Sequence, residues 1–105
     1  MCQTIVLSSK ESVVISQCMD CKMLTIWHQN ILLTFTPAQF RAFKSYTAKL
    51  NIEESLFPFP DGEERLILHT PYHDIRFTFT LEEWEDFKIA LNEAVYMQNI
   101  YQMIY

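Results

Sequence analysis

The sequence predicts an α+β fold of two layers, in which an antiparallel sheet of about six strands carries two helices on one face. Three observations predict it. The chain repeats itself at an offset of 44 residues, and both copies alternate apolar with polar residues as half-buried strands do. Both copies then carry a signal for the start of a helix. The expected element order is ββ-ββα-ββα, in a single domain spanning residues 1–105.

The internal repeat aligns residues 31–44 with residues 75–88 without a gap. Two copies fit an internally duplicated domain better than a solenoid, which needs three or more repeats. We therefore expect an N-terminal hairpin at 4–17, a first ββα copy at 22–50, a linker at 51–64 and a second ββα copy at 65–105. The identical pairs are Leu24/Leu68, Ile31/Ile75, Thr34/Thr78, Phe35/Phe79, Thr36/Thr80, Phe43/Phe87 and Lys44/Lys88, with Phe40/Trp84 as a conservative match.

Each copy ends its second strand at a threonine that begins a helix. Thr36 is followed three residues later by Gln39, and Thr80 by Glu83. This spacing is that of a capping box, in which the two side chains satisfy each other's backbone N–H groups. Helices are therefore expected directly after Thr36 and Thr80.

The predicted hairpin turns contain no glycine, because the only glycine of the chain is Gly62, in the linker. Asn30 and Asp74 occupy matching positions in the turns of the two copies. Asn and Asp are the non-glycine residues that best tolerate a left-handed backbone. We therefore expect these two residues to replace glycine there.

The composition excludes several classes of function. The 13 acidic and 8 basic residues give a net charge of −5, which argues against a nucleic-acid partner and against an anionic membrane surface. No apolar run reaches the roughly 18 residues of a membrane span. No secretory signal is visible, and the three cysteines are an odd number. These features predict a reduced, cytoplasmic protein.

The one motif with chemical content is Cys18-Met19-Asp20-Cys21. Two thiolates at this spacing can hold one zinc ion, and structural zinc normally takes four ligands. The first hairpin brings Cys2 opposite the end of the second strand, so Cys2, Cys18 and Cys21 could meet at one end of the sheet. A fourth ligand is missing, because the strand from Lys22 carries His28 roughly 20 Å away. A structural turn, a metal site and a thiol-redox site all remain open.

The C-terminal stretch, residues 95–105, contains no charged residue, and its apolar side chains fall on more than one helix face. An exposed apolar patch usually marks an interface, and Tyr and Met are enriched in interfaces. A symmetric homodimer is the commonest outcome. The alternative is that the helix lies across the sheet. The predicted interface residues are Tyr96, Met97, Ile100, Tyr101, Met103, Ile104 and Tyr105.

The first half of the chain resembles a small, uncharacterised bacterial family found mainly in Bacteroidetes. The residues that carry the resemblance are Cys18-x-x-Cys21, the segment from Trp27 to Leu33, and Thr36-Pro37-Ala38-Gln39-Phe40. It is clear over residues 2–50. Members have an aromatic-Gly-Asn turn, whereas this chain has Gln29 in place of the glycine. The resemblance implies no substrate and mildly supports a shared purpose for Cys18 and Cys21.

No catalytic pattern emerges from the sequence: there is no Ser-His-Asp order, no H-E-x-x-H and no pair of inward carboxylates. The leading hypothesis is a non-enzymatic interaction module that forms a homodimer through its C-terminal helix and can take a protein partner. The alternative is a metal-binding or thiol-redox protein that uses Cys18 and Cys21 with Cys2, zinc being its only predicted cofactor.

Overall fold

The computed structural model describes residues 3–104, which contain seven strands and three helices. The first half contains β1 (Thr4–Lys10), β2 (Val13–Cys18), β3 (Leu24–His28), β4 (Ile31–Phe35) and α1 (Pro37–Ala48). The second half contains α2 (Ile52–Ser55), β5 (Leu56–Pro58), β6 (Glu64–His69), β7 (Arg76–Phe79) and α3 (Leu81–Ile104). The order ββα therefore occurs twice, as β3-β4-α1 and β6-β7-α3.

The α+β class is confirmed, but the strands form two antiparallel sheets where one sheet of about six was predicted. One sheet has the order β1-β2-β3-β4 and the other β5-β6-β7. At the edge strand β4, the hydroxyl of Tyr72 from the β6–β7 connection donates a hydrogen bond to the carbonyl of Thr34. At this position the edge of the four-stranded sheet is hydrogen-bonded by a side chain. In a continuous sheet, the backbone of a further strand would pair with it.

The β3–β4 hairpin corrects the expectation for the turn residues. His28 pairs with Ile31, which leaves a two-residue loop of Gln29 and Asn30. The residue with positive φ is Gln29, at 53°; neither Asn30 nor Asp74 takes a positive φ. The prediction was wrong because it assigned the strained conformation to the residue type that tolerates it best. In types I′ and II′, the favoured turns of hairpins with two loop residues, the first loop residue carries a positive φ.

Both predicted capping boxes are confirmed. At α1, the Thr36 hydroxyl accepts from the Gln39 amide at 3.0 Å, and the Gln39 side chain accepts from the Thr36 amide at 2.9 Å. At α3, the corresponding distances between Thr80 and Glu83 are 3.2 and 2.8 Å. Four backbone N–H groups at the helix starts are therefore satisfied locally.

An aromatic core joins the two copies. His28, from the first copy, is buried against aromatic rings of the second copy, and its ring centroid lies 4.8 Å from that of Phe79. The Nδ1 atom of His28 lies 3.1 Å from the Ser12 carbonyl oxygen. Helix α3 packs on β1 and β2 as well as on β6 and β7, so it covers strands from both sheets. The buried rings include three pairs related by the 44-residue offset: Phe35/Phe79, Phe40/Trp84 and Phe43/Phe87.

The predicted linker 51–64 has structure of its own, since it contains α2 and β5. Phe57 on β5 is 48% exposed, and the Arg65 guanidinium lies 5.3 Å above the Phe59 ring. In the turn that follows, the backbone N–H of Glu63 and the Arg65 side chain hold the pKa of Asp61 below its usual range. None of the helices in residues 3–104 has the length and apolar character needed to cross a membrane.

Candidate functional site

The cysteine turn joins β2 to β3 and is closed by backbone hydrogen bonds. The Lys22 amide donates to the Cys18 carbonyl at 2.9 Å, and the Cys18 amide donates to the Met23 carbonyl at 2.9 Å. Lys22 takes a positive φ of 67°, and the Gln17 side chain donates to its carbonyl at 2.9 Å. The turn is therefore held from both sides, which fixes the backbone between the two cysteines.

The two cysteines differ in exposure and environment. Cys18 is buried at the end of β2, whereas Cys21 is exposed. The Cys21 amide points at the Cys18 sulfur, with 3.4 Å between nitrogen and Sγ. Cys18 is disulfide-bonded, which differs from the expectation of reduced thiols throughout the chain. Cys2, the third residue of the predicted site, lies outside the described residues.

The start of the described chain is bonded directly to the cysteine turn. The Met19 amide donates to the Gln3 carbonyl at 2.8 Å, and the Gln3 amide donates to an Asp20 carboxylate oxygen at 2.7 Å. The β1–β2 register continues this arrangement, since Thr4 pairs with Cys18. Within residues 3–104, no cluster of three or more His, Cys, Asp or Glu side chains has a metal-binding arrangement.

Helix α3 has an inner face and an outer face, and the predicted interface residues divide between them. Met97 and Tyr101 pack against the core, and Ile100 is half-buried. Tyr96 is 65% exposed, and Met103 and Ile104 are more exposed still. Tyr105 lies outside the described residues. The inner face of α3 therefore packs across the strands, as the alternative hypothesis expected, whereas the outer face is exposed to solvent.

The outer face of α3 carries an apolar stripe at a spacing of seven residues. It consists of Ile89, Tyr96 and Met103, which are 49%, 65% and 87% exposed. Side chains at this spacing lie almost in line along a helix. The sequence analysis missed Ile89, because it considered only the uncharged stretch from residue 95 onward. The signal that could have found it is the seven-residue spacing from Tyr96.

A second apolar surface lies on the outer face of the four-stranded sheet. The strand register aligns Val14 on β2 with Trp27 on β3, and Trp27 with Leu32 on β4. Trp27 and Leu32 are both more than half exposed. Sequence reasoning did not identify this row. Its signal was the run Ile31-Leu32-Leu33, in which the alternation of apolar and polar residues breaks down.

In a comparison with protein families, residues 1–58 match the model described as "Family of unknown function (DUF6686)". The match covers more than half of the chain. The chain belongs to this family. No curated protein and no solved structure gives a match.

The family match confirms the expectation of an uncharacterised family over the first half of the chain. It includes the four-stranded sheet, α1 and all three cysteines, and it ends at the last residue of β5. The second ββα unit, with α3, lies beyond the matched range. The expected distribution in Bacteroidetes and the C-x-x-C motif as a family feature stay predictions.

Proposed function

We propose that this protein is an interaction module that forms a two-fold symmetric dimer through the outer face of α3. The observation that carries the proposal is the exposed stripe of Ile89, Tyr96 and Met103. Apolar side chains at heptad spacing on a helix surface pack well against a second helix. Single exposed apolar residues need no explanation, but a row at this spacing presents its side chains in one direction, as helices that pair with a second helix do.

The spacing of the stripe is self-complementary in an antiparallel pair. Ile89 and Met103 are equally far from Tyr96 along the chain. A two-fold axis at Tyr96 would therefore set Ile89 against Met103 of the partner subunit, and Tyr96 against its own copy. Two-fold interfaces use the same patch on both subunits, which this arrangement satisfies.

The charges on α3 favour the antiparallel orientation. Residues 81–94 carry five acidic side chains and one lysine, whereas residues 95–104 carry no charge. A parallel pair would set the two acidic halves side by side, which is unfavourable. In the antiparallel pair with its two-fold axis at Tyr96, the two helices overlap over residues 88–104, so the acidic side chains of residues 82–86 do not face their copies.

Light scattering should give twice the chain mass of 12.5 kDa at tens of micromolar protein. Changing Tyr96 and Met103 together to Asp should halve that mass, because carboxylates would then be buried at the interface. Leu32→Asp is the matched control, since Leu32 is 64% exposed on the outer face of the sheet. A monomeric wild type would overturn the proposal, as would a dimer that Leu32→Asp dissociates and the α3 variant does not.

We propose as a second candidate a thiol-disulfide site at the cysteine turn, with Cys2 as its third cysteine. Two observations support it: the disulfide at Cys18 and the Cys21 amide directed at the Cys18 sulfur. A disulfide at Cys18 favours the redox alternative over a zinc site, because zinc binding requires a thiolate.

Alkylation with mass spectrometry tests this second candidate. Reduction before alkylation should add two labels to the denatured protein compared with alkylation alone, and Cys18→Ser should abolish that increment. Elemental analysis of protein purified without chelator gives the competing outcome. One zinc per chain, lost in Cys18→Ser, together with three thiols that react without reductant, would replace the redox site with a metal site.

A further inference from the structure

Trp27 is an exposed aromatic ring that is held in a fixed orientation. More than half of its surface is accessible on the outer face of the four-stranded sheet. Its indole N–H donates to the Gln29 carbonyl at 2.8 Å, and the Gln29 side-chain amide donates to a Glu83 carboxylate oxygen at 3.2 Å. A ligand that stacks on Trp27 therefore meets a surface that is already ordered, which lowers the entropy cost of binding.

An open cavity of about 260 Å³ lies beside Trp27. Ser9, Val14 and Trp27 line it, and the strand register places these three residues in one row across the outer face of the sheet. Glu11 and Gln29, both exposed, line it from the neighbouring turns. Its volume corresponds to roughly nine water molecules, which gives room for one six-membered sugar ring.

Two parallel rows of side chains, one apolar and one of hydroxyls, cross the outer face. They consist of Val14, Trp27 and Leu32, and of Ser16, Thr25 and Thr34. The rows are two residues apart along each strand, or roughly 7 Å. The Ser16 and Thr25 hydroxyls are 3.0 Å apart and share one hydrogen bond. The pair can still donate one proton to a ligand and accept from it.

The charges and the hydroxyl row favour an uncharged, hydroxyl-bearing ligand. None of the six residues in the two rows is charged. The two charged residues that line the cavity, Lys10 and Glu11, have opposite signs, so the cavity favours neither anions nor cations. An apolar peptide would cover the row of Trp27 but leave the neighbouring hydroxyls without new partners, which is unfavourable once water is excluded.

We propose that Trp27 and the cavity beside it bind an uncharged oligosaccharide built of pyranose rings. Such a ring presents C–H groups on its faces and hydroxyls around its edge. The C–H groups would stack on Trp27, because the negative face of an aromatic ring attracts partly positive hydrogens. Ser9 and Gln29 would bond the hydroxyls of this ring, and the Ser16–Thr25 pair those of the next. The proposal is independent of the dimer, since it uses neither the stripe of α3 nor the cysteines.

The two indole signals of ¹⁵N-labelled protein report directly on the site. Cellobiose and maltose, neutral disaccharides of different linkage, are the probes. At least one of them should shift the Trp27 signal saturably in the millimolar range and leave the signal of the buried Trp84 in place. Trp27→Phe assigns the two signals. Sorbitol, which has the hydroxyls of a sugar without its ring, should bind at least tenfold more weakly.

Trp27→Ala should stay folded, because the side chain is exposed, and should weaken disaccharide binding at least tenfold. The backbone amide signals of Thr25 and Gln29 measure binding in this variant. Phe57→Ala is the matched control, because it removes an exposed ring from β5, which belongs to the other sheet. Its affinity for the disaccharide should equal that of the wild type.

Four results would overturn the saccharide site. Sorbitol could bind as tightly as the disaccharide, or Phe57→Ala could weaken binding as much as Trp27→Ala does. The Trp27 signal could stay unmoved in about 20 mM of either disaccharide, well above the millimolar range. Finally, Trp27→Ala could form a smaller assembly than the wild type in light scattering, which would show that a second copy of the chain covers this face.

Discussion

Phe79→Ala should lower the free energy of unfolding by about 3–5 kcal/mol, the usual cost of removing a buried aromatic ring. Phe79 is fully buried, with ring centroids 4.5 Å from Phe87 and 4.8 Å from His28. The ring centroid of Phe79 also lies 6.1 Å from that of Trp84. The cavity left by the substitution would therefore have rigid aromatic walls on several sides. Urea unfolding followed by circular dichroism measures the change.

Phe57→Ala is the control for this loss, because the same ring is removed from a position that is 48% exposed. Its cost should stay below about 1 kcal/mol, as for most surface substitutions. Equal losses for the two variants would contradict an aromatic core centred on β7 and α3. So would a Phe79→Ala variant that unfolds at the same urea concentration as the wild type.

Ala94→Asp should have a still larger effect and leave little or no folded protein. Ala94 is fully buried on the inner face of α3. An unpaired carboxylate there would lose its hydration without gaining a partner, which costs several kcal/mol. A domain of this size has a total stability of about 5–15 kcal/mol. Far-ultraviolet circular dichroism and the dispersion of amide NMR signals measure the folded fraction.

Asn99→Asp introduces the same carboxylate on the same helix at an exposed position. It should retain the native fold and shift the unfolding midpoint by no more than a few degrees. Ala94→Ser provides a milder inner-face variant, which should remain folded with reduced stability. A native, fully stable Ala94→Asp protein would show that the inner face of α3 does not pack as described.

The parts of the fold that depend on neighbouring residues were predictable from the sequence. The starts of both long helices follow from Thr36 and Thr80 with their partners three residues on, because a capping box is a local hydrogen-bond pattern. The strands of both copies follow from alternation. The division into two sheets was not predictable, because strand pairing depends on contacts between residues that are distant in the sequence, and alternation does not give these contacts.

The candidate sites were predictable only in part, for the same reason. The uncharged C-terminal stretch drew attention to Tyr96 and Met103, which are exposed, and their place in an interface stays a prediction. The inward packing of Met97 and Tyr101 depends on which strands α3 crosses, and periodicity alone does not give that.

The packing of α3 on β1 and β2 has a consequence for synthesis on the ribosome. The ion pair between Lys10 and Glu93, at 3.2 Å, joins residues from nearly opposite ends of the chain. The first two strands therefore emerge long before the helix that covers them. Contacts of such long sequence range form late, and uncovered strands are prone to aggregation. The nascent chain should need protection of its early strands until residues 81–104 have left the exit tunnel.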